Sequence, residues 1–259
     1  MALHLKPVED QKVEELNEEL DIKFVYCKAA DTDYEIAPKP QKMTAFFPDK
    51  MKGHELNVPP EKMDYREIGA SFSVKSCLPF TDCMKLGFGI PLWHSLFIRN
   101  GTAYDSRRNE TNPNFENPYS LSIHSKEQLD NTTLNSLKLP SIVPKLVNPW
   151  RVITPKGWSC LFTAPYHRED IPIKIMGGVV DTDVYYTSPQ FPFTVDPDFA
   201  GEVPLGTVVA QVIPFKRVNS KMVMSYMNET EKRELNIGRG KILRKQKKHY
   251  LENYRDKRR

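Results

Sequence analysis

Three groups of side chains in this 259-residue sequence have types and spacings that could do chemistry. The first is Gly-Gly-Val-Val-Asp-Thr-Asp, residues 177–183. Carboxylates two residues apart on an extended chain fall on one side of it, so Asp181 and Asp183 could hold a divalent cation through oxygen. A structural role is preferred: Gly-Gly lets the backbone turn, Val179 and Val180 pack inward, and Asp-Thr-Asp caps the next bend through backbone amides. The second group is His167, Arg168, Glu169 and Asp170. A cupin or iron-oxygenase facial set wants His-x-His or His-x-Asp and a distant third ligand. Here the spacing is His167-x-x-Asp170, with only His249 downstream and His94 and His124 upstream. A solvated loop is the preferred assignment.

The third group is the C-terminal tail. From Arg239 to Arg259 there are ten Lys or Arg against two acids, a net of +8, while the other 238 residues carry a net of −4. Arg239, Lys241, Arg244, Lys245, Lys247, Lys248, Tyr250 and Tyr254 combine cations with rings, a composition that can neutralise phosphates and stack on bases. The same stripe can dock on an acidic protein face. A protein partner is the preferred option for this tail, nucleic acid the second.

Other chemistries lack their signatures. There is no phosphate-cradling glycine loop, no Gly-x-Ser-x-Gly elbow and no Cys/His nucleophile pattern. Cys77 and Cys83, five residues apart, fit no common zinc knuckle, and buried free thiols are expected for all four cysteines. No catalytic residue, metal or cofactor is assigned.

The elements that must position these groups are mostly strands. With 39% hydrophobic and 27% charged residues the composition is that of an ordinary soluble globular chain. No apolar run approaches a membrane span, and the acidic N-terminus lacks a signal-peptide core. The expectation is an unsecreted protein, made in a cytoplasm, with no membrane contact. The 21 prolines against 12 glycines disfavour long helices and suit strand ends.

Residues 7–20 place Val13, Leu16 and Leu20 at helical spacing, and Ile22, Phe24 and Tyr26 alternate as in a half-buried strand. Residues 37–60 are proline-spaced and polar, predicting an extended arm anchored by Phe46 and Phe47. Residues 71–80 predict a strand, Asn100-Gly101 a two-residue hairpin, and 126–138 a short helix. From Pro149 to Phe215 short strands broken by Pro, Gly or Asp predict a sandwich or small barrel. Ten aromatics, among them Trp93, Trp150, Trp158 and Phe193, are assigned to its core rather than to a ligand groove. After Met227 the strand signal ends and helix is expected, split into two pieces by Gly238 and Gly240.

Two long stretches carry a resemblance: Lys75–Trp93 (KSCLPFTDCMKLGFGIPLW) and Asn148–Arg217, with its NPWRVITPKGWSCLFTAPYHRED, GGVVDTD and GEVPLGTVVAQVIPFKR motifs. They resemble an uncharacterised family encoded by contractile-tailed, largely marine bacteriophages and by some bacteria. The resemblance covers roughly residues 70–255. It implies a phage-encoded protein without supplying an activity. Separately, TPKGWSCLF, GGVVDTD and VPLGTVVAQVI are similar in order to the late motifs of dUTPases. That likeness would make Asp181 a base. Against it, Val184 stands where the stacking tyrosine belongs, with Tyr185 one place late, and TAPYHRED replaces the Arg-Ser-Gly phosphate signature.

Together these observations predict a mainly β fold, a jelly-roll or barrel-like sandwich (cupin-like or dUTPase-like β-clip), with an N-terminal helix-and-arm extension and a basic helical tail. The expected division is 1–62 for helix, strand and arm, 63–218 for the β body, and 219–259 for the tail. The expected function is non-enzymatic and virion- or assembly-associated, binding protein neighbours through arm and tail, with self-association also open. The alternative is a dUTPase-like or cupin-like small-molecule enzyme using Asp181, with Asp183, His167 and Asp170 nearby.

Overall fold

The computed structural model describes residues 20–27, 35, 37–52, 74–105, 121–124, 128 and 143–250, the last stretch with side chains through Arg239. The fold is mainly β: four antiparallel sheets, with two α-helices among the described residues.

The sheet that matters most runs β11 (Gly178–Val180), β9 (Trp158–Thr163), β14 (Val208–Lys216), β3 (Phe88–Pro91) and β2 (Gln41–Lys42). Its spine is β14, paired along both edges with β9 and β3, and its apolar run Val208-Val209-Ala210 and Val212 is buried in the core. The one polar side chain in that run, Gln211, is fully buried and fully bonded. Its Nε2 donates to the carbonyls of Cys83 (2.9 Å) and Leu86 (2.7 Å), and its Oε1 accepts the N–H of Tyr166 (3.0 Å). A buried amide is tolerated when its donors and acceptor are all used.

A second sheet runs β10 (Ile173–Ile175), β12 (Phe191–Val195), β7 (Val143–Leu146) and β6 (Leu121–His124). A third runs β13 (Gly201–Val203), β4 (Leu96–Arg99) and β5 (Thr102–Asp105). Its β4–β5 connection is the expected Asn100-Gly101 hairpin: Arg99 faces Thr102 and Asn100 takes φ +50°, as a tight two-residue turn requires. Finally β1 (Lys23–Tyr26) pairs with β8 (Trp150–Ile153). One apolar core takes residues from β3, β4, β7, β8, β9, β10, β12, β13 and β14, including Trp93, Trp150, Phe162, Phe191 and Phe193. The aromatic-core expectation holds in part: Phe97 is 46% exposed, Trp158 and Phe80 are half-buried outside the core cluster, and Phe72 lies outside the described residues.

Four expectations are corrected. The compact unit holding the sheets is Ile22–Ser220, so it begins well before Met63. Phe24 and Tyr26 pack on the core, Tyr26 edge-on to Trp150, and Met43 is buried within it. Apolar groups separated by prolines still bury when the sheet supplies an edge, as β3 does for β2. Second, of the strand expected over 71–80, residues 71–73 lie outside the described residues, Val74–Ser76 form a 3₁₀ turn, and 78–80 open helix α1 (Leu78–Lys85), where Pro79 sits in the first turn and a missing N–H costs nothing. It ends at Gly87, whose φ is +71° and whose missing Cβ would lie 2.1 Å from the Val212 carbonyl oxygen. Third, helix α2 (Glu229–Tyr250) runs unbroken through Gly238 and Gly240. Two glycines cost about 1 kcal/mol each relative to alanine, which twenty-two residues with a capped start can absorb. Fourth, the four cysteines are free but only Cys160 is buried.

The α2 start is legible chemistry. Asn228 Oδ1 accepts the Glu231 N–H at 2.9 Å, and Glu231 Oε2 accepts the Asn228 N–H at 2.8 Å, a reciprocal capping box. Glu229 and Glu231 place negative charge at the positive end of the helix dipole. The predicted helices at 7–20 and 126–138 lie, apart from Leu20 and Gln128, outside the described residues.

Candidate functional site

Asp181 and Asp183 lie just past β11, and their surroundings begin with the turn Pro155-Lys156-Gly157-Trp158. The Trp158 N–H reaches the Pro155 carbonyl at 3.2 Å, and Gly157 takes φ +85°, the third position of a type II turn that favours glycine. This aims the Gly157 N–H outward, where it donates to Asp183 Oδ2 at 2.8 Å. At the end of β14 the Arg217 N–H bonds the Gly157 carbonyl at 2.8 Å, which places the Arg217 guanidinium over the same turn.

The guanidinium then closes the cluster. Arg217 Nη1 donates to Asp183 Oδ1 (2.9 Å) and Nη2 to Asp183 Oδ2 (2.5 Å), a two-pronged pair of the geometry Arg is suited to. Nη1 also donates to Ser159 Oγ (2.8 Å) and the Trp158 carbonyl (2.9 Å), and lies 3.2 Å from Asp181 Oδ1. Ser159 Oγ in turn donates a hydrogen bond to Asp181 Oδ1 at 2.6 Å. Arg217 first, and the Gly157 N–H second, hold the Asp183 carboxyl down at about 2, and the acids raise Arg217 in return. Beneath them Thr182 is buried, sharing a 2.8 Å hydrogen bond with Thr154.

The two acids are therefore brought together, as their spacing suggests, but on a guanidinium. Of the backbone amides expected as partners, one, that of Gly157, contributes, and Arg217 does most of the bonding. Val179 is also corrected, since it is 61% exposed on the edge strand while Val180 packs on the core. Two carboxylates against one cation leave a net negative cluster, and the arrangement ties the 154–159 turn, the 181–183 bend and the end of β14 into one unit.

The second predicted group separates. His167, at φ +57°, stacks its ring on Phe80 at 3.7 Å and 15°. Asp170 turns instead to Arg168, which holds it by two bonds (2.8 and 2.9 Å) and so lowers its pKa. Arg168 also donates to the Phe46 carbonyl at 3.0 Å, tying the arm to this loop. Glu169 pairs with Lys174. Arg168 and Asp170 border a cleft of about 360 Å³ with Phe199 and Glu202. Among the described residues no three His, Cys, Asp or Glu side chains converge as a metal site would need.

In the tail, Arg239 is exposed; Lys241, Arg244, Lys245, Lys247, Lys248 and Tyr250 lie on the α2 backbone, and Tyr254 lies outside the described residues. The feature that sequence inspection missed lies just before them. Every residue from Phe215 to Ile237 is exposed, among them Val218, Met222, Val223, Met224, Tyr226 and Met227. Tyr226 is fully exposed, Met224 83% and Met222 81%. Residues 217–228 form no strand or helix. The available signal was an apolar run, Met-Val-Met-Ser-Tyr-Met, between the last strand and a charged helix.

Among the described residues no helix is long and apolar enough to cross a membrane. Compared with known proteins, the chain matches no family model and no curated protein sequence.

Proposed function

We propose that this chain is a non-enzymatic, phage-encoded protein, associated with the virion or its assembly, that binds neighbouring proteins through residues 218–239. It would be made in the host cytoplasm. The observation that carries this is the unbroken exposure of Phe215–Ile237 with its load of methionine, valine and tyrosine. Exposed apolar stretches of this kind mark interaction surfaces, and methionine suits them because its flexible thioether adapts to a partner. The start of α2 supports the same conclusion. Its described side chains bury nothing, Leu235 and Ile237 being 37% and 52% exposed, and a helix without a packing surface is marginal in water.

A protein fits this surface better than nucleic acid does. A phosphate backbone satisfies the later cations but offers nothing to Met222, Val223, Met224 and Tyr226. The long motifs that resemble the phage family support an assembly role. Sheets sharing one core support the finer assignment of that body as a jelly-roll or barrel-like sandwich.

Mass spectrometry of purified particles of the encoding phage tests the proposal. The chain should be present and should survive a wash at about 1 M salt, since apolar burial outlasts charge screening. Its absence from particles and from assembly intermediates would refute the proposal.

A further inference from the structure

The cleft between β6, the end of β7 and the 185–190 loop has no part in the proposal above. Its volume is about 490 Å³, within the range of small-molecule sites. Its lining is one-sided. Lys145 brings an ammonium and His124 an imidazole, Tyr185, Thr187, Ser188 and Gln190 supply neutral hydrogen-bonding groups, and among the described residues no carboxylate lines it. Lys145 has no acidic partner among the described residues, whereas Lys174, Arg168 and Arg217 are each paired. A cleft lined by one sign of charge concentrates the opposite sign.

Its walls are held from behind. The Tyr185 N–H bonds the Asp181 carbonyl at 2.9 Å, and Asp181 is fixed by Ser159 and Arg217. Asn148 bonds both backbone groups of Trp150 (2.7 and 3.0 Å), locking the exit from β7. Ser122, Lys145 and Pro192 stand in one register row across three strands, so Lys145 is carried on sheet rather than loop. Rigid positioning of a few polar groups is what a ligand site needs.

We propose that this cleft binds a small phosphate monoester. A carboxylate is satisfied by two donors. A tetrahedral phosphate uses more, and here an ammonium stands with a phenol, two hydroxyls and an amide.

Calorimetric titration of the full chain with ribose 5-phosphate, beside ribose, at about 0.15 M salt tests this. Saturable binding of the phosphate ester and none of ribose is expected. Lys145→Gln should weaken it by about tenfold or more, the size of a charge-assisted hydrogen bond, with the melting temperature unchanged. If that variant melts early, Ser188→Ala replaces it and should weaken binding several-fold. A fourfold tail variant, R244Q/K245Q/K247Q/K248Q, should bind as the parent does. Absence of saturable binding overturns the proposal. So does binding that survives Lys145→Gln or Ser188→Ala in a folded chain, and so does binding lost in the tail variant.

Discussion

Arg217 and Asp183 face each other through two hydrogen bonds, with the Asp183 side chain only 3% exposed and Arg217 37%. The pair joins Arg217, the first residue after β14, to the bend that follows β11. Its consequence is that the end of β14 is tied to the 154–159 turn and the 181–183 bend.

That pair should appear in the acid stability. The folded value of Asp183 is depressed from 3.8 to about 2, so its contribution is complete above the unfolded value and is lost as pH falls through the folded one. Asp183→Asn should lower the melting temperature at neutral pH and flatten its fall between pH 3.8 and about 2. Parallel melts across that window are the check; two curves of the same slope would remove Asp183 from the account.

Gln211 ties α1 and the 166 loop to the central strand. Gln211→Leu keeps the size but strands the Tyr166 N–H and the Cys83 and Leu86 carbonyls. A loss of about 1–3 kcal/mol is expected from urea unfolding, the usual desolvation penalty of such groups. A variant as stable as its parent would mean that water reaches these groups.

How far these features were legible in sequence varies with their range. Strands from Pro149 to Phe215 and the Asn100-Gly101 hairpin follow from alternation and turn chemistry, which are local. The pairing of Asp181 and Asp183 with an arginine 34 residues beyond Asp183 is not local, and nothing near the acids announces it. Phe46 was legible as an anchor of the arm, but Met43 read as linker because prolines surround it, yet it is 2% exposed once β3 offers an edge. The segment at 218–227 was hidden for the opposite reason: apolar residues are assumed to bury, and these do not.

The N-terminal boundary can be tested directly. A chain starting at Met63 loses β1, β2, Met43 and Phe46, and should lose its cooperative melt, because removing one large buried side chain alone costs about 2–5 kcal/mol. A chain starting at Asp21 should melt as the full protein does. Equal melts for the Met63 chain and the full protein would return the boundary to the linker.

Thiol reactivity should follow burial. Cys77 is exposed, whereas Cys160 is buried and burial pushes its thiol pKa up. Iodoacetamide on the native protein should modify Cys77 faster than Cys160 by on the order of a hundredfold, with Cys160 reacting freely only in denaturant. Peptide mass spectrometry reads both sites. Comparable rates would show that β9 opens readily.

The central claim is that Met222, Val223, Met224 and Tyr226 hold this chain to a protein neighbour. The most direct measurement is the number of copies per purified phage particle for the parent chain and for a variant with all four replaced by serine. The body should melt unchanged in the variant, because none of the four is buried. The account predicts a drop in copy number of about tenfold or more, since even part of four apolar side chains is worth well over 1.4 kcal/mol. An unchanged copy number in a folded variant would contradict it.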